Sequence, residues 1–179
     1  MAEAFSNSLT RAAGIVTTST SGSIGVTTNL ITGISTSLVS VNDLVDTQHF
    51  IAGSRVSSIG AGEVVVDRDS TNTASASSQN VKFLGLTTAY TSSTSVKSIL
   101  IGGTFANNTG NSVNLTVEVF DNSTSTTAAL ASDIPVPAGS SFVISDAGKT
   151  VLEGDDAIRV YCDVANAIDV NLSILTGVN

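Results

Sequence analysis

The only histidine, His49, limits the acid–base catalysis that this chain could perform. A Ser-His-Asp triad requires a hydroxyl nucleophile beside an imidazole that a carboxylate orients. Asp43 and Asp46 precede His49 closely, but the sequence has no Gly-x-Ser-x-Gly segment of the kind that presents the serine of many hydrolases. We therefore expect His49 to be a structural or surface residue and the protein not to be an enzyme. A hydrolase built on His49 is the least favoured of the hypotheses.

Two groups of closely spaced carboxylates are candidates for calcium binding. They are Asp67 with Asp69, and Glu153 with Asp155 and Asp156. Neither group matches the twelve-residue loop with its glycine and distal glutamate. Solvated loop charge is the favoured interpretation, so we predict no metal site and no cofactor.

Cys162 is the only cysteine, so an intramolecular disulfide framework is excluded. It lies in phase with Ile158 and Val160, which alternate with polar residues. The pattern predicts that the thiol is buried and inert, because a reactive thiol needs a partly exposed, electropositive setting.

Aromatic residues are few, and tryptophan is absent. Tyr90, Tyr161 and Phe120 are the candidates for an outward contact surface, and Phe120 interrupts the polar phase of its strand. Outward aromatic rings would be needed for stacking on a sugar, so these three residues are the basis of any glycan-binding hypothesis.

The charge distribution argues against nucleic acid and membrane partners. Lysine and arginine number seven, against fifteen acidic residues, and the formal net charge is −8. No two of the basic residues are adjacent, so a phosphate-neutralising patch is not expected. No run approaches the eighteen apolar residues of a membrane helix, and the N-terminus lacks a signal-peptide core. We expect a soluble protein made in a cytoplasm.

The elements that position these side chains are predicted to be strands. Valine, isoleucine, threonine, serine and glycine are abundant, which favours strands and turns over helices. Strict alternation marks residues 113–119, 158–162 and 168–174 as strands with one buried face. The short spacer 164–166 predicts an antiparallel hairpin between the last two, and Pro135 to Gly139 predict a turn at a sheet edge.

The chain divides into three predicted zones. Residues 1–21 form an N-terminal arm, in which Phe5 and Leu9 have the i, i+4 spacing of a short helix. These two residues are either part of a frayed terminus or a docking arm that binds another subunit. Residues 22–80 form a small β module that ends in a polar linker at 67–79, and residues 81–179 form an antiparallel β-sandwich. The predicted fold class is all-β, with a jelly-roll or Ig-like sandwich.

Several short segments in both modules share a turn-and-strand pattern. In the first module they are Ile31-Thr32-Gly33-Ile34-Ser35-Thr36, Val41-Asn42-Asp43-Leu44-Val45, Phe50-Ile51-Ala52-Gly53-Ser54-Arg55-Val56-Ser57-Ser58-Ile59, Val64-Val65-Val66-Asp67 and Ser70-Thr71-Asn72-Thr73. This pattern resembles a β module of virion proteins of tailed bacteriophages, although Asn42 stands where that family often has glycine, and the usual proline before Gly53 is missing. In the second module, three segments are similar to β-sandwich modules in small structural proteins of cyanobacterial phages: Phe105-Ala106-Asn107-Asn108-Thr109, Val136-Pro137-Ala138-Gly139-Ser140-Ser141 and Leu152-Glu153-Gly154-Asp155-Asp156-Ala157-Ile158-Arg159-Val160.

The resemblance implies a non-enzymatic virion structural protein, assembled in the host cytoplasm and located in the virion. It could decorate the head or belong to the neck, the tail or a fibre. Its expected partners are other virion proteins and further copies of itself, so a homo-oligomer is expected. The alternative hypothesis is an adhesive or glycan-binding β module that recognises a host cell surface.

Overall fold

A computed structural model describes residues 3–145 and 149–178, and it confirms the all-β prediction. The described residues form fifteen strands in antiparallel sheets, without a helix. The chain separates into two compact units. The sandwich unit comprises Met1–Gly14 and Thr87–Asn179, and the inserted unit comprises Ile15–Leu86.

One sheet of the sandwich unit contains both the first and the last strand of the chain. Its strand order is β1 (Ala4–Ala13), β15 (Ile168–Val178), β9 (Lys97–Asn107) and β12 (Ser141–Ile144), and β13 (Thr150–Leu152) also pairs with β9. The second sheet has the order β11 (Thr126–Val136), β10 (Val113–Asp121), β14 (Ala157–Cys162) and β8 (Thr87–Thr91). β11 is therefore an edge strand, and the predicted position of Pro135 at a sheet edge is confirmed. The turn predicted for Pro135 to Gly139 starts later than expected, because Pro135 and Val136 are still part of β11.

The two sheets share one apolar core, which explains why they pack as a sandwich. Phe105 and Leu172 from the first sheet meet Leu115 and Val160 from the second, and all four are fully buried. Each belongs to the apolar phase of its strand, so burial of that phase fixes which face of these strands is turned to the core.

The inserted unit has its own sheet and its own core. The strand order is β4 (Leu44–Asp46), β7 (Ala76–Gly85), β2 (Ile15–Ile24), β3 (Leu30–Thr32), β6 (Glu63–Val66) and β5 (Val56–Gly60). Val45 N donates to Ser54 O at 2.8 Å, and Val56 N donates to Asp43 O at 3.0 Å. These bonds join the two ends of the sheet, so the sheet curls around a core that includes Phe83 and Val64.

The structure differs from the predicted organisation at the N-terminus. The helix predicted around Phe5 and Leu9 is wrong, because both residues lie in β1, paired with β15. A spacing of four places two side chains on one face of a strand as well as on one face of a helix, so the spacing could not separate the two.

The boundary predicted near residue 80 also differs from the observed one. Residues 76–80 are not part of a linker, since they begin β7, which pairs with β2 in the interior of the sheet of the inserted unit. Val81 and Phe83 accordingly belong to the core of the inserted unit. The low-complexity polar sequence concealed a strand because its side chains are mostly exposed or half-buried.

The predicted hairpin between the last two strands is wrong. β14 pairs with β10 and β8, whereas β15 pairs with β1 and β9, so the connection crosses from one sheet to the other. Asn166 N donates to Gly14 O at 3.0 Å and Ala167 N donates to Ala13 O at 3.0 Å. The connection is thus held by the end of β1.

We predict that Gly154→Ala destabilises the sandwich unit by about 1–3 kcal/mol, the usual cost of overpacking. A methyl group at residue 154 would overlap the backbone carbonyl oxygen of Thr94, which cannot rotate away. The free energy of unfolding in urea is the measurement. Gly110→Ala is the control, because an added methyl meets nothing within 4 Å there. Equal stability of the two variants would contradict the prediction.

Candidate functional site

His49 is held between two side-chain amides of the inserted unit. Its Nδ1 lies 2.6 Å from Asn72 Oδ1, and its Nε2 lies 3.0 Å from Gln79 Oε1. Asn72 Nδ2 donates to the backbone oxygen of Ile24, and Gln79 Nε2 donates to that of Ser77, which orients both amides. The ring therefore links loop and strand segments of this unit, and within the described residues its hydrogen bonds reach no hydroxyl or carboxylate.

The carboxylates singled out in the sequence are dispersed among separate structural partners. Asp67 Oδ1 accepts from Arg55 N at 2.8 Å, and Glu153 Oε1 lies 2.9 Å from Lys97 Nζ. Asp156 is buried and accepts from the backbone nitrogens of Asn122 and Glu153, which caps two loops. Across the described part of the chain, no three histidine, cysteine or acidic residues are grouped so that they could hold a metal ion.

Cys162 lies in the sandwich core, on the inward face that alternation predicted. Burial raises the pKa of its thiol to about 11, and the neighbouring carboxylate of Asp163 contributes in the same direction. A thiol with a raised pKa carries little thiolate near neutral pH, so it is a poor nucleophile.

The three aromatic candidates for a contact surface do not form one. Tyr161 is only 1% exposed. Tyr90 is half-buried against the core, with its hydroxyl 2.8 Å from Ser98 Oγ. The ring of Phe120 is half-buried beneath Arg159, whose Cζ lies 3.5 Å from the ring centroid. In these positions the rings are engaged in structural contacts and are not arranged as a platform for a sugar.

Phe5 and Leu9, by contrast, are the exposed residues that the docking hypothesis requires. Their side chains are 80% and 71% exposed, and both lie on the outer face of the first sheet. Phe5 pairs with Leu175, Leu175 pairs with Ile99, and Ile99 pairs with Val151. Because directly paired residues share a face, these four side chains form an apolar row across four strands.

The same strand also presents a free edge. Among the described strands, β1 is the terminal one of its sheet and has β15 as its single partner. We call the unpaired side of residues 4–10, with the side chains of Phe5 and Leu9, the β1 edge. Sequence reasoning found its two apolar residues but missed the strand, although Phe5, Asn7 and Leu9 alternate with Ser6 and Ser8 in the period of two that identifies strands.

A shallow groove of about 470 Å³ lies on the inserted unit. Its lining residues are Ser23, Ile24, Gly25, Thr28, Leu30, Thr32, Ser75, Ala76 and Ser77. These residues supply hydroxyl and backbone groups without a charge. The groove therefore has no acid, base or cation with which to activate a substrate.

Comparison with protein-family models, with curated proteins and with solved structures finds no match for this chain. Within the described residues, no helix is long and apolar enough to span a membrane. The interpretation of the sites described above is therefore based on their geometry alone.

We predict that Cys162 resists Ellman's reagent in the native protein at pH 8 and reacts promptly once a denaturant unfolds the chain. The reagent requires thiolate, and burial keeps the thiol protonated until about pH 11. Because the folded pKa is raised, the unfolded chain ionises first, so the free energy of unfolding should fall as the pH rises above the ordinary pKa of a thiol. The measurement is absorbance against time, with Cys162→Ala as the blank. Fast labelling under native conditions would show that the thiol is accessible.

Proposed function

We propose that this chain is a non-enzymatic structural protein of a tailed-bacteriophage virion, which acts by self-association and by docking on other virion proteins. The observation that carries the proposal is the β1 edge, where an unpaired strand presents two strongly exposed apolar side chains. Monomeric proteins usually protect such an edge strand from pairing with other chains, by means of charged residues, proline, bulges or a covering segment. The phage assignment itself is supported by the resemblance of the turn-and-strand segments.

The use of the polar groups supports a structural role. His49 bridges two amides, Asp156 caps backbone nitrogens, and Cys162 is a protonated core thiol. A polar group whose hydrogen bonds are made within the protein is not available to bind or activate a substrate. The favoured role is therefore assembly, as a head decoration or as a component of the neck, tail or fibre.

The composition also suits repeated packing. Charged residues make up only 12% of the chain, while hydroxyl side chains are abundant. Each buried charge costs free energy unless it is paired, so a surface with few charges loses little when it is covered. This property favours a subunit that is placed among many neighbours.

The alternative of a host-glycan adhesin gains no support from the aromatic residues on which it depended. Tyr161 is buried, and Tyr90 and Phe120 make contacts within the sandwich unit. A sugar platform would require at least one of these rings to present its face to solvent.

The experiment that tests this proposal determines whether the chain is part of the particles produced by cells infected with the phage that encodes it. Particles purified on a density gradient should contain the chain in a fixed ratio to the major shell protein, and it should remain after a high-salt wash. Quantitative mass spectrometry of the gradient fractions measures that ratio. The major shell protein marks the particle fractions, and a non-virion phage enzyme marks the soluble ones. Recovery of the chain only with the soluble marker would refute the virion assignment.

A further inference from the structure

The β1 edge is unusual among the described edges of the sandwich unit. β12 and β13 are short, β8 has five residues, and β11 carries Pro135 and two register shifts. β1 instead runs in unbroken register with β15 from Ala4 to Thr10, with neither a proline nor a charged residue in that stretch. Its outward backbone N–H and C=O groups thus form a regular template on which another strand can pair.

The sequence of this edge is nearly symmetrical about Asn7. Reading outward from Asn7, the chain has serine on both sides, then Phe5 on one side and Leu9 on the other. If a second copy pairs antiparallel with a two-fold axis at Asn7, Phe5 of each copy lies opposite Leu9 of the other. The two serines likewise lie opposite each other. All the apolar pairs then fall on the outer face, because paired residues share a face.

The charges that flank the edge fit the same register. Glu3 directly precedes β1 and Arg11 directly follows the regular stretch Ala4–Thr10, so each glutamate lies near the arginine of the other copy. Neither residue makes an ion pair within the described part of its own chain. With a net charge of −8, a subunit can approach its copy most easily where no carboxylates oppose each other, and this register meets that condition.

We propose that the partner of the β1 edge is the β1 edge of a second copy, paired antiparallel about Asn7, so that two five-stranded sheets become one continuous sheet. The interface is isologous and closed, and it produces a dimer. The apolar row of each copy continues through the Phe5 and Leu9 pairs into that of the other. This inference rests on the self-association part of the proposed function and names the partner.

A disulfide cross-link tests the register. Residues directly opposite in an antiparallel pair have Cα atoms roughly 4.5–5.5 Å apart, which is within the range of a disulfide. Asn7→Cys should therefore give a covalent dimer on mild oxidation, visible on a non-reducing gel. The buried Cys162 should not interfere. Asn171→Cys is the matched control, since it is exposed on the same outer face but belongs to β15. Cross-linking of the control in preference to Asn7→Cys would indicate face-to-face association and overturn the proposal.

Charge reversal tests the same register without cysteine chemistry. Arg11→Glu brings carboxylates of the two copies together at both ends of the interface. The dissociation constant of the dimer should rise roughly tenfold at low salt, because two exposed ion pairs are lost at once. The double variant Glu3→Lys with Arg11→Glu restores opposite charges and should recover the affinity. Sedimentation equilibrium measures the dissociation constants. Failure of the double variant to recover would exclude the register.

The contribution of the apolar side chains to the interface is tested by combining Phe5→Lys with Leu9→Lys. This double variant should be a monomer by light scattering and folded by circular dichroism. Leu38→Lys is the control, since Leu38 is 75% exposed on the inserted unit.

A native chain that stays monomeric at its highest soluble concentration, or that forms a closed trimer, would refute the proposal. These measurements use the purified chain, so a dimer that is missing from particles refutes only the virion assignment, and a monomer found in particles refutes only the pairing.

Discussion

The pairing of β1 with β15 is the constraint on which the arrangement of this chain depends. It joins the first described strand to the last, in unbroken register from Ala4 opposite Thr176 to Thr10 opposite Val170. The chain leaves the sandwich unit after Gly14 and returns to it at Thr87, so the inserted unit is a long loop within this unit. The entropy of closing such a loop grows only slowly with its length. The inserted unit can offset part of it by folding around its own core.

The end of β1 also determines how the second half of the sandwich is connected. Gly14 has φ +120°, and a side chain there would overlap the carbonyl oxygen of Val164 at 2.5 Å. This close approach lets the backbone of Ala13 and Gly14 accept hydrogen bonds from Ala167 and Asn166. The connection after β14 is thereby held across the sandwich, which places β15 in the other sheet. A short spacer can span two sheets when a third segment satisfies its backbone polar groups.

The distribution of polar and apolar groups follows from the same architecture. Polar groups that lose contact with water must find partners, and the half-buried His49 and Asn72 and the buried Asp156 find theirs in the loops of their own units. The β1 edge is in the opposite situation, because no other described strand pairs with its outer side and the side chains of Phe5 and Leu9 lie on the face away from the core. The polar side chains thus contribute to stability through hydrogen bonds within the protein, whereas the β1 edge keeps backbone groups that no described strand pairs with.

The sequence alone determined that the chain is built of strands and, for the segments with strict alternation, which residues face the core. Alternation placed Cys162 and Leu172 in the core, and the prolines at 135 and 137 indicated the edge of a sheet. Only the tertiary structure decided which strands are neighbours. It assigned Phe5 and Leu9 to a strand, separated β14 from β15, and turned the polar segment after residue 75 into β7. It also buried Tyr161, which the alternation had turned outward. The physical reason is that a period of two reports the two faces of one strand, whereas pairing and coverage depend on residues distant in the chain.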